Sequence, residues 1–208
     1  MKNKSYANRG RPFEELMRFA NERYAKRKIA VIEKLPTEFI PIRNTKGKVC
    51  RAKVEEKSKV DFIGRYKHIP IAIEAKHTEE DTIRFNRVET HQADYMDAFT
   101  EEPGTIGLVL VSFGMKRFFV IPWAHWKAAY DARVRPTGDS KAPVSVSAFG
   151  VDWTIPKKKS VRIDEIPPEF EIPNHDFDFG LHYLQTADRY ITPQYPTATE
   201  KNAERVYN

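Results

Sequence analysis

Residues Val60–His77, VDFIGRYKHIPIAIEAKH, alternate apolar and polar side chains on both sides of a central turn. A period of two commits such a stretch to paired strands, because successive strand side chains point to opposite faces. From Ile69 onward, Ile69, Ile71, Ile73 and Ala75 face one way, and a continuous apolar face of that kind belongs in a core. Ala72, Glu74 and Lys76 face the other way, with Ala72 small enough to leave room in front of the sheet. Asp61 faces opposite to Val60 and Phe62 on the preceding strand. With the two strands paired as a hairpin turning near Gly64, Asp61, Glu74 and Lys76 converge on one side of the sheet.

That convergence sets a chemistry. Two neighbouring carboxylates repel each other unless a cation lies between them. Oxygen-only ligands favour Mg²⁺ or Mn²⁺ over zinc. A lysine beside such a cation can stabilise a phosphorane-like transition state, or help to position and deprotonate a water. The reaction this suits is metal-assisted hydrolysis of a phosphodiester. Glu-x-Lys by itself reads more simply as a salt bridge on a strand end, and Asp61 upstream is what weighs against that reading.

A helix expected over Arg84–Phe99 adds an independent clue. Phe85, Val88, Tyr95, Met96 and Phe99 mark its apolar stripe, and Gln92 falls on that stripe. A buried glutamine must find partners or cost on the order of 1–3 kcal/mol. An active-site cavity or a backbone group could each satisfy it. Glu14, in the first turn of a helix starting near Arg11, could reach the same site as an outer carboxylate. It also serves as an ordinary acid at the positive end of the helix dipole. His77 and His91 lie near the expected site, but no histidine pair has ligand spacing.

The rest of the chain frames this region. Pro12 suits a first helical turn, and Phe13, Leu16, Met17, Ala20 and Tyr24 follow the spacing of one buried stripe. KIAVIEK reads as a strand, and FIPI and KVCRAKV flank a Lys46-Gly47 turn as a protruding hairpin. TIGLVLVSF and RFFVIP read as neighbouring buried strands, and AHWKAAYDARV as a helix that brings Trp123 and Trp126 into the core. Beyond Pro136 the pattern weakens: TGDSKAP reads as a loop, IPPEFEIPNHDFDFG as irregular chain and LHYLQTADRYI as a last short helix. This order indicates a mixed α/β fold with helices packed on one central sheet. The expected organisation is a flexible basic arm over 1–10, one domain over 11–191 with the hairpin at about 38–58, and a tail over 192–208.

Charge divides unevenly along the chain. Residues 1–60 carry 17 Lys and Arg against 7 Asp and Glu, a net of +10, whereas residues 61–208 carry 18 against 22, a net of −4. A basic N-terminal third points to a polyanion surface such as nucleic acid. Cys50 is the only cysteine, so no disulfide framework or cysteine zinc site is expected. No apolar run approaches the roughly 20 residues of a membrane span, and the N-terminus lacks a signal-peptide apolar region. A cytoplasmic location and no membrane partner are the expectation.

Asp61 followed by Glu74-Ala75-Lys76 resembles the PD-(D/E)xK nuclease signature, with Val60 in place of the proline. NRG at Asn8–Gly10, IAVIEKLPT at Ile29–Thr37, VDFIG at Val60–Gly64, IEAKHT at Ile73–Thr78, His91-Gln92 and GLVLVSF at Gly107–Phe113 occur in order. Together they resemble the RecU family of Holliday junction resolvases of Gram-positive bacteria and their phages. The resemblance implies a restriction-endonuclease-like (PD-(D/E)xK) core, a central mixed sheet flanked by helices, with a protruding basic stalk. It implies a homodimer that nicks four-way DNA junctions symmetrically with Mg²⁺ or Mn²⁺, in a bacterial cell or phage-infected host. Asp61 and Glu74 would be metal ligands, Lys76 the transition-state stabiliser, and Gln92 a further ligand or a contact to metal-bound water. Arg9 and Arg11 would belong to the arm that touches DNA, and Arg43, Lys46, Lys48, Arg51 and Lys53 to the stalk that enters the junction. Two departures stand out: a stalk several residues short, and Lys59 where the family tends to carry a metal-contacting threonine. A nuclease of other specificity, or a non-catalytic junction-binding protein, are the alternatives.

Overall fold

Helix α1 (Arg11–Lys26) starts where the sequence places it, with Pro12 and Glu14 in its first turn. Phe13, Met17, Ala20 and Tyr24 are buried along one stripe, with Leu16 half-buried at its edge. There follow β1 (Ala30–Lys34), β2 (Glu38–Arg43), β3 (Val49–Glu56), β4 (Phe62–Tyr66), β5 (Ile69–Thr78) and β6 (Thr82–Arg84). A 3-10 turn at Phe85–Arg87 leads to α2 (Thr90–Glu101), β7 (Ile106–Phe113), β8 (Arg117–Pro122) and α3 (Trp123–Arg133). The chain then forms β9 (Val144–Ala148), β10 (Val151–Ile155), β11 (Ser160–Arg162), β12 (Glu171–Ile172) and α4 (Tyr183–Ile191). This computed structural model describes residues 10–36, 38–43, 49–56, 58–136, 142–173 and 178–191, without the side chains of 38–43, 49–56 and 190. The basic arm up to Arg9, the turn at Lys46-Gly47 and the tail from 192 lie outside the described residues.

Six strands form the central sheet in the order β1-β4-β5-β7-β8-β12. Its β5–β7 pair is parallel and its other pairs are antiparallel, so the sheet is mixed. Ring stacking of Phe13 on Phe118 and the edge contact of Tyr24 with Tyr183 place α1 and α4 on one face. On the other face a Cβ built on Gly107 would come within 2.8 Å of Trp123 and 2.9 Å of Met96, so α3 and α2 press directly on β7. Both faces are therefore covered, which is why every residue of β7 is buried. The expected mixed α/β class, with helices flanking one central sheet, is what the chain forms.

Four local expectations are corrected. The β4–β5 hairpin turns at Lys67-His68, with Lys67 at φ +55° and Tyr66 paired to Ile69. Gly64 instead lies inside β4, where a Cβ would sit 2.0 Å from the Val31 carbonyl oxygen; the glycine permits close backbone approach and makes no turn. The helix expected from Arg84 begins only at Thr90, because the chain first makes β6 and a 3-10 turn that buries Phe85 against Trp126. Ala72 leaves no space in front of the sheet, since α2 covers it completely. Finally, the weakly patterned region beyond Pro136 holds β9–β12: β9 pairs with β10, β11 with β6 and β12 with β8. Trp123 and Trp126 are buried as expected.

The hairpin of β2 and β3 pairs antiparallel within itself and stays apart from the central sheet. It is inserted between β1 and β4, which lie side by side with Lys34 opposite Phe62. Consequently it leaves and rejoins the core at the end of the sheet that carries Asp61.

Candidate active site

Asp61 precedes β4, and its main chain is anchored by the Leu35 N–H, which donates to the Asp61 carbonyl oxygen at 2.9 Å. Its side chain is held as well: the Ala75 N–H donates to Oδ2 at 2.8 Å. Because Phe62 pairs with Ile73, Asp61 falls beside Glu74 across the strands, as the alternation requires. Glu74 is essentially inaccessible, with its side chain 1% exposed. Lys76, two residues on and on the same face, lies 2.5 Å from Glu74 Oε1 through its ammonium.

Gln92 joins this pair from the first turn of α2. Its Nε2 donates to Glu74 Oε1 at 2.6 Å, while its Oε1 accepts from Lys76 Nζ at 3.1 Å. The same Oε1 accepts the Glu89 N–H at 2.9 Å, as half of a capping box at the start of α2. A backbone donor thus decides which end of the amide faces which neighbour. Gln92 is half-buried, beside the buried stripe of Ala93 and Met96 rather than on it, and its amide is satisfied twice, by the helix cap and by the site.

The electrostatics follow from burial. Burial pushes Glu74 up to about 8, the Asp61 carboxylate beside it adds to the rise, and Lys76 opposes without cancelling it. The short contact to Lys76 therefore does not keep Glu74 ionised at neutral pH. Burial also raises Asp61, against the Ala75 hydrogen bond and the Lys76 charge, while nearby Glu14 adds to the rise. Glu14 itself is ion-paired with Lys34. It stays half-exposed in the first turn of α1, close enough for its charge to act on Asp61.

One atom in this cluster lacks a partner: Glu74 Oε2 is buried without a hydrogen bond. When Glu74 is protonated, this oxygen carries the proton beside Asp61; when it is ionised, two adjacent carboxylates there fit a hard divalent cation. Among the described residues no group of three His, Cys, Asp or Glu could hold a metal. Further oxygen ligands would have to come from the Gln92 amide, main-chain carbonyls or water.

Of the other expected site residues, Arg11 is exposed and pairs with Glu15. Arg9, Lys46 and Lys48 lie outside the described residues, and Arg43, Arg51 and Lys53 are placed on the hairpin strands by backbone alone. Lys59 is exposed. His77 is buried behind the site, between Ser112 Oγ at 3.1 Å and Glu79 Oε1 at 3.0 Å. Glu89 and Lys34 did not emerge from the sequence. For Glu89 the signal was present, since an acid three residues ahead of a glutamine is a capping-box spacing, but it was hidden by starting the helix at Arg84.

Comparison with known proteins bears on the whole chain. Holliday junction resolvase RecU of Staphylococcus saprophyticus is 25% identical over 193 residues, covering 89% of this chain and 83% of that protein. The Streptococcus mutans protein of the same name is 30% identical over 127 residues, and that of Streptococcus uberis 32% over 123. These two matches span 64% and 61% of the streptococcal proteins, less than two thirds. Among solved structures, the Holliday junction resolvase Hjc of Archaeoglobus fulgidus aligns at a TM-score of 0.33 and 11% identity, over 51% of this chain and 76% of that one. The model of the family RecU, Recombination protein U, matches residues 8–189. With nearly the whole chain matched, from the end of the arm through α4, it belongs to the RecU family.

Proposed function

We propose that the chain is a metal-dependent endonuclease that resolves four-way DNA junctions by paired, symmetric nicks. The observation that carries this reading is Glu74: a carboxyl buried between Asp61 and Lys76, with one oxygen unpartnered, at the rim from which a projecting hairpin leaves the core. Burying ionised carboxylates costs several kcal/mol unless opposite charge compensates them, and Lys76 alone faces both Asp61 and Glu74, which leaves a deficit that a divalent cation would fill. Membership of a family whose relatives bear the name Holliday junction resolvase supports the substrate.

Asp61 and Glu74 would hold the metal, with Gln92 and Glu14 at its margin. Bound there, Mg²⁺ or Mn²⁺ supplies Lewis-acid activation of the phosphodiester and of a water. Because burial holds Glu74 well above the usual carboxylate range, a bound metal would have to displace its proton, so metal affinity should rise with pH. Once released from Glu74, the Lys76 ammonium is free to face the charge developing on the phosphoryl oxygens. Gln92 keeps Glu74 oriented while its own amide is fixed by the Glu89 N–H. The Ala75 N–H holds Asp61 in the same way. The hairpin over 38–58 is the stalk, and with the N-terminal arm it supplies the contacts assigned to Arg9, Arg11, Arg43, Lys46, Lys48, Arg51 and Lys53. Two copies related by a two-fold axis match two cuts to the symmetry of the junction.

A synthetic four-way junction with Mg²⁺ tests this. Wild type should give two symmetric nicks, and Asp61→Asn should give none. Lys76→Ala should slow cleavage by about 10²–10³-fold with junction binding retained. Equal cleavage of linear duplex would assign the chain to nucleases of other specificity. Junction binding without nicking by wild type would make it a non-catalytic binder.

A further inference from the structure

Cations outside the site divide into paired and unpaired ones. Lys34, Lys127, Arg117, Arg135 and Arg162 each sit on a carboxylate. Lys157, Lys158 and Lys159 are consecutive and exposed, and none has an ion-pair partner among the described residues. The loop that carries them joins β10 to β11 and is pinned at both ends. Arg133 Nε donates to the Pro156 carbonyl oxygen at 2.8 Å, and the Phe85 N–H donates to the Lys159 carbonyl oxygen at 3.1 Å. Three like charges side by side on an anchored, solvent-exposed loop repel one another only modestly, because water and salt screen them. Held so, they form a ready surface for a polyanion.

The anchoring also fixes where this surface lies. Pairing of β11 with β6 sets Arg84 opposite Ser160, so exposed Arg84 adjoins the lysine loop. From Phe85 the chain needs two residues, about 7 Å at most, to reach exposed Arg87. Arg87 Nη2 donates to the carbonyl oxygen of His77, the residue after Lys76, at 3.2 Å. Glu89 and Gln92, the cap that touches Glu74, come next. A line of cations therefore runs from Lys157–Lys159 through Arg84 and Arg87 to the edge of the site. Of the acids in this layer, Glu80, Asp81 and Asp164 gather at its other end, where Arg162 pairs with Thr82 and the Ile163 N–H meets the Asp81 carbonyl, while Glu79 and Glu89 lie nearer the site and face His77 and His91.

We propose that Lys157–Lys159, Arg84 and Arg87 form a phosphate track that carries the sugar–phosphate backbone of one DNA arm into the Asp61–Glu74–Lys76 site. The inference rests on the nuclease reading above and adds to it a second contact surface, carried by the β6–β11 layer and the start of α2, whereas the stalk leaves the core between β1 and β4. Such contacts are sequence-independent and supply affinity through released counterions.

The test is the salt dependence of binding to a four-way junction in Ca²⁺, measured for three full-length proteins. Lys158→Gln/Lys159→Gln removes two charges from the track. Lys26→Gln/Arg65→Gln removes two at the far end of the sheet, where α1 ends and the β4–β5 hairpin turns. The track predicts that the first variant binds at least ten-fold more weakly at about 0.1 M salt. Its slope of log K against log salt should be shallower by roughly 2, close to 0.9 per lost phosphate contact. The second variant should match wild type in both. A track variant with unchanged affinity and slope, beside a wild type that binds, would overturn the track alone and leave the loop to an acidic protein partner. A wild type that binds no junction would overturn the nuclease reading itself.

Discussion

Between Ile71 and Glu74 the two faces of β5 are equally buried and chemically opposite. Ile71 and Ile73 face α1 and α4, and lie in an apolar layer with Phe62 and Leu108. Ala72 and Glu74 face α2 and are just as inaccessible, yet Glu74 brings a carboxyl into that layer. The difference shows that exclusion from water serves two ends in one strand. On the first face it is the source of stability, at roughly 25 cal/mol per Å² of apolar surface. On the second it opposes stability and sets the proton affinity of a functional group.

Substitution on each face sharpens that contrast. Ile73→Ala should cost about 2–5 kcal/mol in denaturant unfolding, as a large-to-small change in a packed layer does. Its loss should be the same at pH 5 and pH 8, because nothing it touches on that face titrates.

Glu74→Gln should behave in the opposite manner. With Glu74 held at about 8, well above the ordinary carboxylate value near 4.5, the folded protein binds more protons than the unfolded chain between these values. In the metal-free wild type the contribution of Glu74 to stability should therefore be fully present below about pH 4.5 and lost as pH rises through about 8, by an amount on the order of a few kcal/mol. Thermal melts from pH 5 to 8.5 should show this slope in wild type and a flatter one in Glu74→Gln. An identical slope in both proteins would mean that Glu74 ionises freely and that the two faces differ less than argued.

The smallest effect concerns the cap. Glu89→Ala should destabilise α2 by about 0.5–2 kcal/mol. If Gln92 is oriented through the cap, Mg²⁺ affinity should also fall, by about 10-fold, and Glu89→Gln should restore most of it. Lost helix stability with unchanged metal affinity would make Glu89 a structural cap only.

How far the sequence reached varies by element. Strands β7 and β8 and helices α1 and α3 were legible because long periodic or continuous apolar runs carry their own signal. The start of α2 was not, since β6 and the 3-10 turn are too short to show a period, and Phe85 and Val88 mimic a helical stripe while packing from a different element. Gly64 misled in a similar way. A glycine within a run reads as a turn, yet here it admits the Val31 carbonyl, a contact made by a strand 33 residues away in sequence. Of the strands beyond Pro136, β11 and β12 escaped because each is very short and pairs with a distant partner, whereas β9 and β10 form a local hairpin around Phe149-Gly150 whose alternation was there to be read.

By itself, the sequence determined that Asp61, Glu74 and Lys76 share a face, because strand alternation is a local property of the backbone. It also determined the family, because ordered motifs extend along nearly the whole chain. Tertiary structure alone decided that this face lies under α2 rather than open to solvent, that Gln92 reaches Glu74 from a helix cap, and that Lys157–Lys159 stand beside the route to the site. Each of these depends on which elements pack together, and burial, proton affinity and charge proximity follow from distances in space that spacing along a chain does not contain.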